Sequence, residues 1–318
     1  MSLLITGGGL VGSQVAALAV QEGIRPIIYD MNPQREAIGR IVSLDKVDII
    51  EGNVLNLDQF ERDIKERNIN RIVHTAANPM LTVGAQENPH ASIQLNIMGT
   101  MNAIELSRKL KIKRFVFPSS SVLYTNRREG TEIGKLSEDN YPRPTTIYAS
   151  TKLACENLGL NYAESFGLDF VALRSRAVIG PWSGSGGGGG PSNMFRQAIE
   201  KSLKGESSIL SSRQFEFVYS KDCARAVMLA LDEGRKFSNH RIFNVGMGRV
   251  YSSDEIADLI KERLPQAKIE IEKKAPSLPT EPPIDLSRSA SLLGYKPMYD
   301  MPAALDDYIA WYNSQRLA

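Results

Sequence analysis

Residues 2–12 read Ser2-Leu3-Leu4-Ile5-Thr6-Gly7-Gly8-Gly9-Leu10-Val11-Gly12, and this stretch decides the fold. An apolar run of strand length, residues 2–6, passes directly into GxGxxG, and the apolar, alanine-rich residues that follow predict a helix ending near Gly23. Glycines suit such a turn because they permit a tight reversal, leave backbone N–H groups open to a pyrophosphate, and let helix pack closely on strand. A second strand, Ile27-Ile28-Tyr29-Asp30, ends in an acid 18 residues after Gly12. Asp30 is placed to accept the hydroxyls of an adenosine ribose and to repel a 2′-phosphate, which predicts NAD over NADP. Arg35, close behind, keeps NADP open.

Working outward, the alternation repeats. Val47–Ile50 predicts a strand leading into Gly52-Asn53-Val54, and 58–68 a helix with Asp58 as N-cap. Residues 71–77 predict a strand ending in small residues, within which His74 reads as a strand histidine satisfied by its neighbours. A long helix over 90–110 and a strand over 114–117 follow, running into Ser119-Ser120-Ser121. Strands alternating with helices at this length predict a doubly wound α/β fold, a parallel sheet covered on both faces.

The polar stretch 122–146, with Arg127, Arg128, Glu129 and Gly130, reads as a loop over the strand ends. A helix starts near Tyr148, and a strand over 168–173 ends at Arg174 and Arg176, where an open α/β sheet binds its ligands. Gly186–Gly190 is an unbroken glycine run, either a lid over the site or a tolerated surface loop. Beyond it the spacing predicts helices over 193–203 and 222–231 and strands over 215–219 and 242–245. Ser252 and Glu255 form a capping box ahead of a helix, 268–272 alternates as a half-exposed strand, and the proline-rich 276–283 precedes two final helices.

Composition narrows the class. A chain of 318 residues suits one large α/β unit or a domain with a smaller lobe. Lysine and arginine number 38 against 36 acids, a net charge of +2, so no strong field favours nucleic acid or an anionic membrane. Cys155 and Cys223 lie on predicted helices without a CxxC or histidine pattern, and read as reduced packing residues rather than metal ligands. The first apolar run is too short for a signal-peptide core, and no stretch approaches the roughly 18 apolar residues of a membrane span. A cytoplasmic location is expected.

Tyr148-Ala149-Ser150-Thr151-Lys152 supplies the chemistry. On a helix, residues four apart share a face, so an ammonium sits one turn from a phenol. A free tyrosine, with a pKa of about 10, is too weak a base at neutral pH, and a fixed cation beside it moves it toward the working range of a general acid/base.

In this order the glycine loop, Asp30, His74-Thr75-Ala76-Ala77, Leu95-Asn96-Ile97-Met98-Gly99-Thr100, the triple serine, YxxxK and Leu293-Gly294-Tyr295-Lys296-Pro297 resemble the extended short-chain dehydrogenase/reductase family, which includes nucleotide-sugar epimerases and dehydratases. The resemblance implies a Rossmann-type fold with a smaller C-terminal substrate lobe: residues 1–175 bind NAD and 215–247 return to them, while 176–214 and 248–318 form the lobe. It implies Tyr148 as acid/base, Lys152 as holder of the nicotinamide ribose, and Ser120, three residues before Leu123, as donor to the reacting oxygen. Implied cofactor contacts are Gly7, Gly9, Leu10, Val11, Gly12, Asp30, Asn53, Val54, Ala76, Ala77, Asn96, Tyr148 and Lys152. The helices after His90 and Tyr148 resemble those that pair in family dimers, so a homodimer is expected.

Departures from the family bear on the substrate. Dehydratases carry an acidic pair where this chain has Ser121 and Val122, which argues against dehydration. The asparagine usual in nucleotide-sugar enzymes after strand six is Ala177, and the diphosphate-clamping arginine falls on Phe215, with Arg213 two residues earlier as a substitute. These departures favour an NAD-dependent dehydrogenase acting on a secondary alcohol of a small polar or sugar-like substrate, with Ser121, Arg174, Arg176 and Arg213 as substrate contacts. The alternative is a nucleotide-sugar 4-epimerase with tightly bound NAD.

Overall fold

The structure, a computed structural model, describes all residues except 1, 78–83, 125–133, 186–188, 233, 235, 236, 238, 273–281 and 318. Arg127, Arg128, Glu129, Gly130, three glycines of the run and most of the proline-rich connector therefore lie outside the described residues. The strands are β1 (Ser2–Thr6), β2 (Ile27–Asp30), β3 (Asp48–Glu51), β4 (Ile69–His74), β5 (Arg114–Ser120) and β6 (Phe170–Ser175). They continue as β7 (Ala177–Ile179), β8 (Ser207–Ser211), β9 (Gln214–Tyr219), β10 (Ile242–Val245), β11 (Val250–Ser252) and β12 (Lys268–Glu272).

Seven of them form one parallel sheet in the order β10-β6-β5-β4-β1-β2-β3. The order reverses between β1 and β4, which opens a crevice at their carboxyl ends. Strand periodicity sorts the core onto two faces. Leu3, Ile5, Val73 and Val116 join one cluster, while Leu4, Ile72, Phe115 and Phe117 join the other, all at most 1% exposed. The first face is covered by α1 (Leu10–Gln21); α2 (Arg35–Gly39) follows β2. The second is covered by α3 (Leu57–Ile64) and, after the short α4 (Gly84–Glu87) and α5 (Pro89–Ile93), by α6 (Gly99–Lys109) and α7 (Ile147–Phe166).

Beyond β6 come α8 (Gly190–Leu203), α9 (Ser220–Leu231), α10 (Ser253–Arg263) and α11 (Met301–Leu317). β7, β9 and β11 make a three-stranded sheet, and β8 pairs with β12. Within 215–247, α9 and β10 rejoin the main sheet, whereas β9 belongs to the small one. Among the described residues no helix is long and apolar enough to cross a membrane.

Several elements differ from the sequence reading for local reasons. The helix expected over 90–110 is broken by a π-turn at Gln94–Met98, whose Asn96 carbonyl accepts from Thr100 Oγ1 at 2.5 Å and Cys155 Sγ at 3.1 Å. Asn56, not Asp58, caps α3, accepting the Gln59 N–H at 3.1 Å. The first of the two expected final helices is a π-turn, Ser289–Leu293, ended by left-handed Gly294. β7, β8 and β11 were not anticipated, because three to five residues made regular by pairing leave little period to read. The Ser252–Glu255 capping box is present, and both cysteines are free and buried.

Candidate active site

A continuous cleft of ≈ 820 Å³ runs along the carboxyl ends of the sheet, from the glycine loop past Ser120, Tyr148 and Lys152 to Arg213, Ser252 and Asp254.

At one end the β1–α1 loop is built for close approach. Gly7 takes φ +89°, and a Cβ there would meet the Ala76 nitrogen and Thr75 Oγ1 at 2.8 Å. A Cβ on Gly12 would meet the Gly7 carbonyl at 2.0 Å, whereas one on Gly9 would meet nothing within 4 Å. Gly9 is also the N-cap of α1 and offers no side-chain cap, so first-turn N–H groups are left for an anion. Gly8 N–H donates to Asp30 Oδ2 at 2.7 Å and Asn32 N–H to Oδ1 at 2.8 Å, which fixes the carboxylate at the cleft wall. An uncapped helix N-terminus, a glycine loop and an anchored acid at the end of β2 together fit a dinucleotide.

The expected Ser120, Tyr148 and Lys152 come from two elements. β5 ends at Ser120, and Val122 N–H donates to its Oγ at 3.4 Å. α7, capped by Thr146, brings Tyr148 and Lys152 to the cleft one turn apart. Lys152 Nζ donates to the Pro118 carbonyl at 2.9 Å and lies 4.5 Å from the Phe117 ring centroid and 5.8 Å from that of Tyr148. Burial pushes the Tyr148 phenol up to about 12, against the pull of a hydrogen bond with Ser120, and not down as its spacing from Lys152 predicts, because the Lys152 ammonium is turned to the Pro118 carbonyl. Burial also lowers Lys152 to about 8, with Cys155 and Glu156 opposing. His74 lies beneath, fully buried, with Nδ1 2.7 Å from Thr6 Oγ1.

Of the residues expected from the sequence, Gly7, Gly9, Leu10, Val11, Gly12, Asp30, Asn53, Val54, Ala76, Ala77, Ser120, Ser121, Tyr148, Lys152, Arg176 and Arg213 line the cleft. Asn96 and Arg174 do not. Asn96 is 2% exposed and turns its amide to Thr151 Oγ1 at 3.1 Å, bracing the π-turn against α7. Arg174 is 3% exposed and grips Glu156 of α7, while its Nη1 donates to the Tyr124 hydroxyl at 2.8 Å. Arg176 is neutralised by Glu216 at 3.1 Å and donates to the Pro282 carbonyl at 2.6 Å. Arg213 is held only by its backbone, its N–H on Ser253 Oγ at 3.2 Å. Its guanidinium is exposed and has no partner among the described residues.

The cleft also includes Gln34, Ser185, Ser192, Gln214 and Asp254, which the sequence reading missed. Single polar residues on separate elements, at loop positions or at the first residues of α8, β9 and α10, leave no periodic signal. Among the described residues no group of three or more histidine, cysteine or acidic side chains is placed to hold a metal ion.

A sequence model of the NAD dependent epimerase/dehydratase family matches residues 3–246. UDP-glucuronate 4-epimerase 4 of Arabidopsis thaliana is 26% identical over 344 residues, spanning 99% of this chain and 76% of that protein. A putative UDP-glucose 4-epimerase of Methanocaldococcus jannaschii is 25% identical over 319 residues, 98% of each chain. The crystal structure of UDP-glucose 4-epimerase from Thermus thermophilus, a complex with NAD, aligns with a TM-score of 0.81 at 26% identity, covering 97% of this chain and 99% of that one. None of these three is named a dehydrogenase, so the preference for net oxidation drawn from the sequence finds no support in them.

Proposed function

Because the chain belongs to the NAD dependent epimerase/dehydratase family, we propose that it is a nucleotide-sugar 4-epimerase with NAD as its resident cofactor. The observation that carries this reading is the free guanidinium of Arg213 on the cleft wall. Arg174 and Arg176 are spent on buried carboxylates, which leaves Arg213 to receive a diphosphate. It supplies the cation that Phe215, at the family's usual clamp position, cannot.

In this reading the glycine loop and α1 N-terminus hold the pyrophosphate, Asp30 the adenosine ribose, and Lys152 the nicotinamide ribose. Held there, NAD would supply a reversible hydride acceptor for the sugar's C4. Tyr148 takes the proton of the 4-hydroxyl as the C4–H bond is lost and returns it as the ketone is reduced from its other face. Ser120 donates to the same oxygen and fixes its direction. The exchange is redox-neutral and releases no reduced cofactor. Ser121 and Val122 bring no carboxylic acid to the sugar, so elimination of water lacks its acid and base. We assign the cofactor to residues 1–175 with 220–247, and the nucleotide sugar to 176–219 and 248–318, β9 lying in the small sheet. Ile93 and Met98, 42% and 45% exposed beside α6, support pairing of two chains through this face.

The test is incubation of the purified protein with NAD and either UDP-glucose or UDP-glucuronate. Appearance of the 4-epimer by NMR, with no net NADH, is expected. Stoichiometric NADH from a small polyol or sugar acid, with both nucleotide sugars inert, would replace this reading with a dehydrogenase.

A further inference from the structure

The segment after β7 crosses to the cofactor half of the molecule and fastens there. Ser185 N–H donates to Gln34 Oε1 at 2.7 Å, Ser185 Oγ donates to the same oxygen at 3.2 Å, and Gln34 Nε2 donates back to the Ser185 carbonyl at 3.2 Å. One side-chain amide thus clasps both backbone groups of a residue 151 positions away. Gln34 lies four residues beyond Asp30, and both Gln34 and Ser185 line the cleft beside it.

The far side of the clasp is built rigidly. Trp182, fully buried, donates its indole Nε1 to the same Ser185 carbonyl at 3.1 Å, and Arg196 of α8 donates to the Gly184 carbonyl at 3.3 Å. Gly184 has to be glycine for the approach: a Cβ there would stand 2.6 Å from Gln34 Oε1 and 2.7 Å from the Trp182 ring. A surface glutamine meeting a distant backbone through three hydrogen bonds, against an anchored tryptophan, is more order than an idle loop requires.

We infer that Gln34 and Ser185 form a clasp across the dinucleotide end of the cleft that slows release of the cofactor and keeps it resident between turnovers. Gln34 is a positioning residue, acting on the opening of the cleft and not on the reacting atoms. The inference rests on the cofactor assignment above, and it gives the retention that a redox-neutral epimerase needs a structural basis.

The experiment loads the full-length protein with NADH, chases with excess NAD, and follows the loss of bound NADH fluorescence. Gln34→Ala is expected to release NADH about tenfold faster, as loss of three partly exposed hydrogen bonds implies. Gln34→Asn, whose amide is withdrawn by one methylene, should behave alike. Ser185→Ala removes one bond of the three and should give a twofold effect or less, which vanishes in the Gln34→Ala background because the two residues act as one unit. Thermal unfolding of the cofactor-free proteins should be unchanged, since the contact lies at the surface. Release from Gln34→Ala within twofold of the wild type, or a Ser185→Ala effect that persists beside it, overturns the clasp. Failure of the wild type to hold NADH would instead defeat the cofactor assignment. Slow release without any epimerisation would leave the clasp standing and remove only the substrate.

Discussion

Arg174 and Glu156 form a buried two-point ion pair, the guanidinium Nε and Nη2 donating to the carboxylate at 3.0 and 2.7 Å. Burial works to lower the arginine pKa, and the Glu156 contacts override it and hold it above its usual value. The pair ties β6 to α7, the helix that presents Tyr148 and Lys152. Tyr124 extends it to Asn244 of β10, donating to Asn244 Oδ1 at 3.0 Å. Arg174→Met should therefore destabilise by about 3–5 kcal/mol, because it strands a buried carboxylate. The double change with Glu156→Leu should recover most of that loss in urea unfolding. A stable Arg174→Met protein with only a raised KM would return Arg174 to the substrate.

Lys152 titrates near 8, so its charge is present below that pH and lost above it. If it holds the nicotinamide ribose, NAD affinity measured by calorimetry should decline as pH rises through about 8. Lys152→Met should bind weakly with a flat profile. Tyr148→Phe should bind NAD normally and lose at least about a hundredfold in turnover. A flat wild-type profile would detach Lys152 from the cofactor.

His74, its ring against those of Phe115 and Phe117, has its pKa lowered to about 3, by burial first and by the Lys152 charge second. Its folded value lies below the unfolded value of about 6.5, so the unfolded chain binds more protons between the two. Stability from this group is whole above about pH 6.5 and is lost as pH falls toward 3, at about 1.4 kcal/mol per unit. His74→Gln should flatten the acid limb of unfolding free energy against pH. Parallel limbs for the two proteins would point to other groups.

Two glycines should separate binding from stability. A Cβ on Gly159 would stand 2.2 Å from the Phe170 ring, so Gly159→Ala should cost about 1–3 kcal/mol through overpacking of α7 on β6. Gly9→Ala meets no protein atom within 4 Å and should unfold like the wild type while losing affinity for NAD. Unchanged NAD affinity in Gly9→Ala would exclude close contact with the loop.

Arg213→Ala should raise KM for the nucleotide sugar about tenfold or more with little change in kcat, the mark of a contact made equally in ground and transition states. Arg213→Lys should recover part of it. A fall in kcat alone would place Arg213 in the chemistry instead.

How much of this was legible in the sequence follows from the range of the interactions involved. The β1–loop–α1 unit, Asp30 at the end of β2, and Tyr148 and Lys152 one turn apart are local patterns, in which spacing fixes direction before any tertiary contact forms. The arginines were not legible in that way. Arg174, Arg176 and Arg213 offer the same guanidinium, and which one stays unpaired depends on Glu156, 18 positions from Arg174, and Glu216, 40 from Arg176.

The sequence by itself determined the parallel α/β sheet, the glycine loop after β1 and the placing of Tyr148 and Lys152 one turn apart, because glycine geometry, strand period and helical spacing act over a few residues. Only the tertiary structure decided which arginines are paired with buried carboxylates, that Asn96 braces a π-turn off the cleft, and that Gln34 meets Ser185 across it. Those outcomes rest on burial and long-range hydrogen bonding, where an unpaired charge is costly inside the protein and no local pattern says which partner will relieve it.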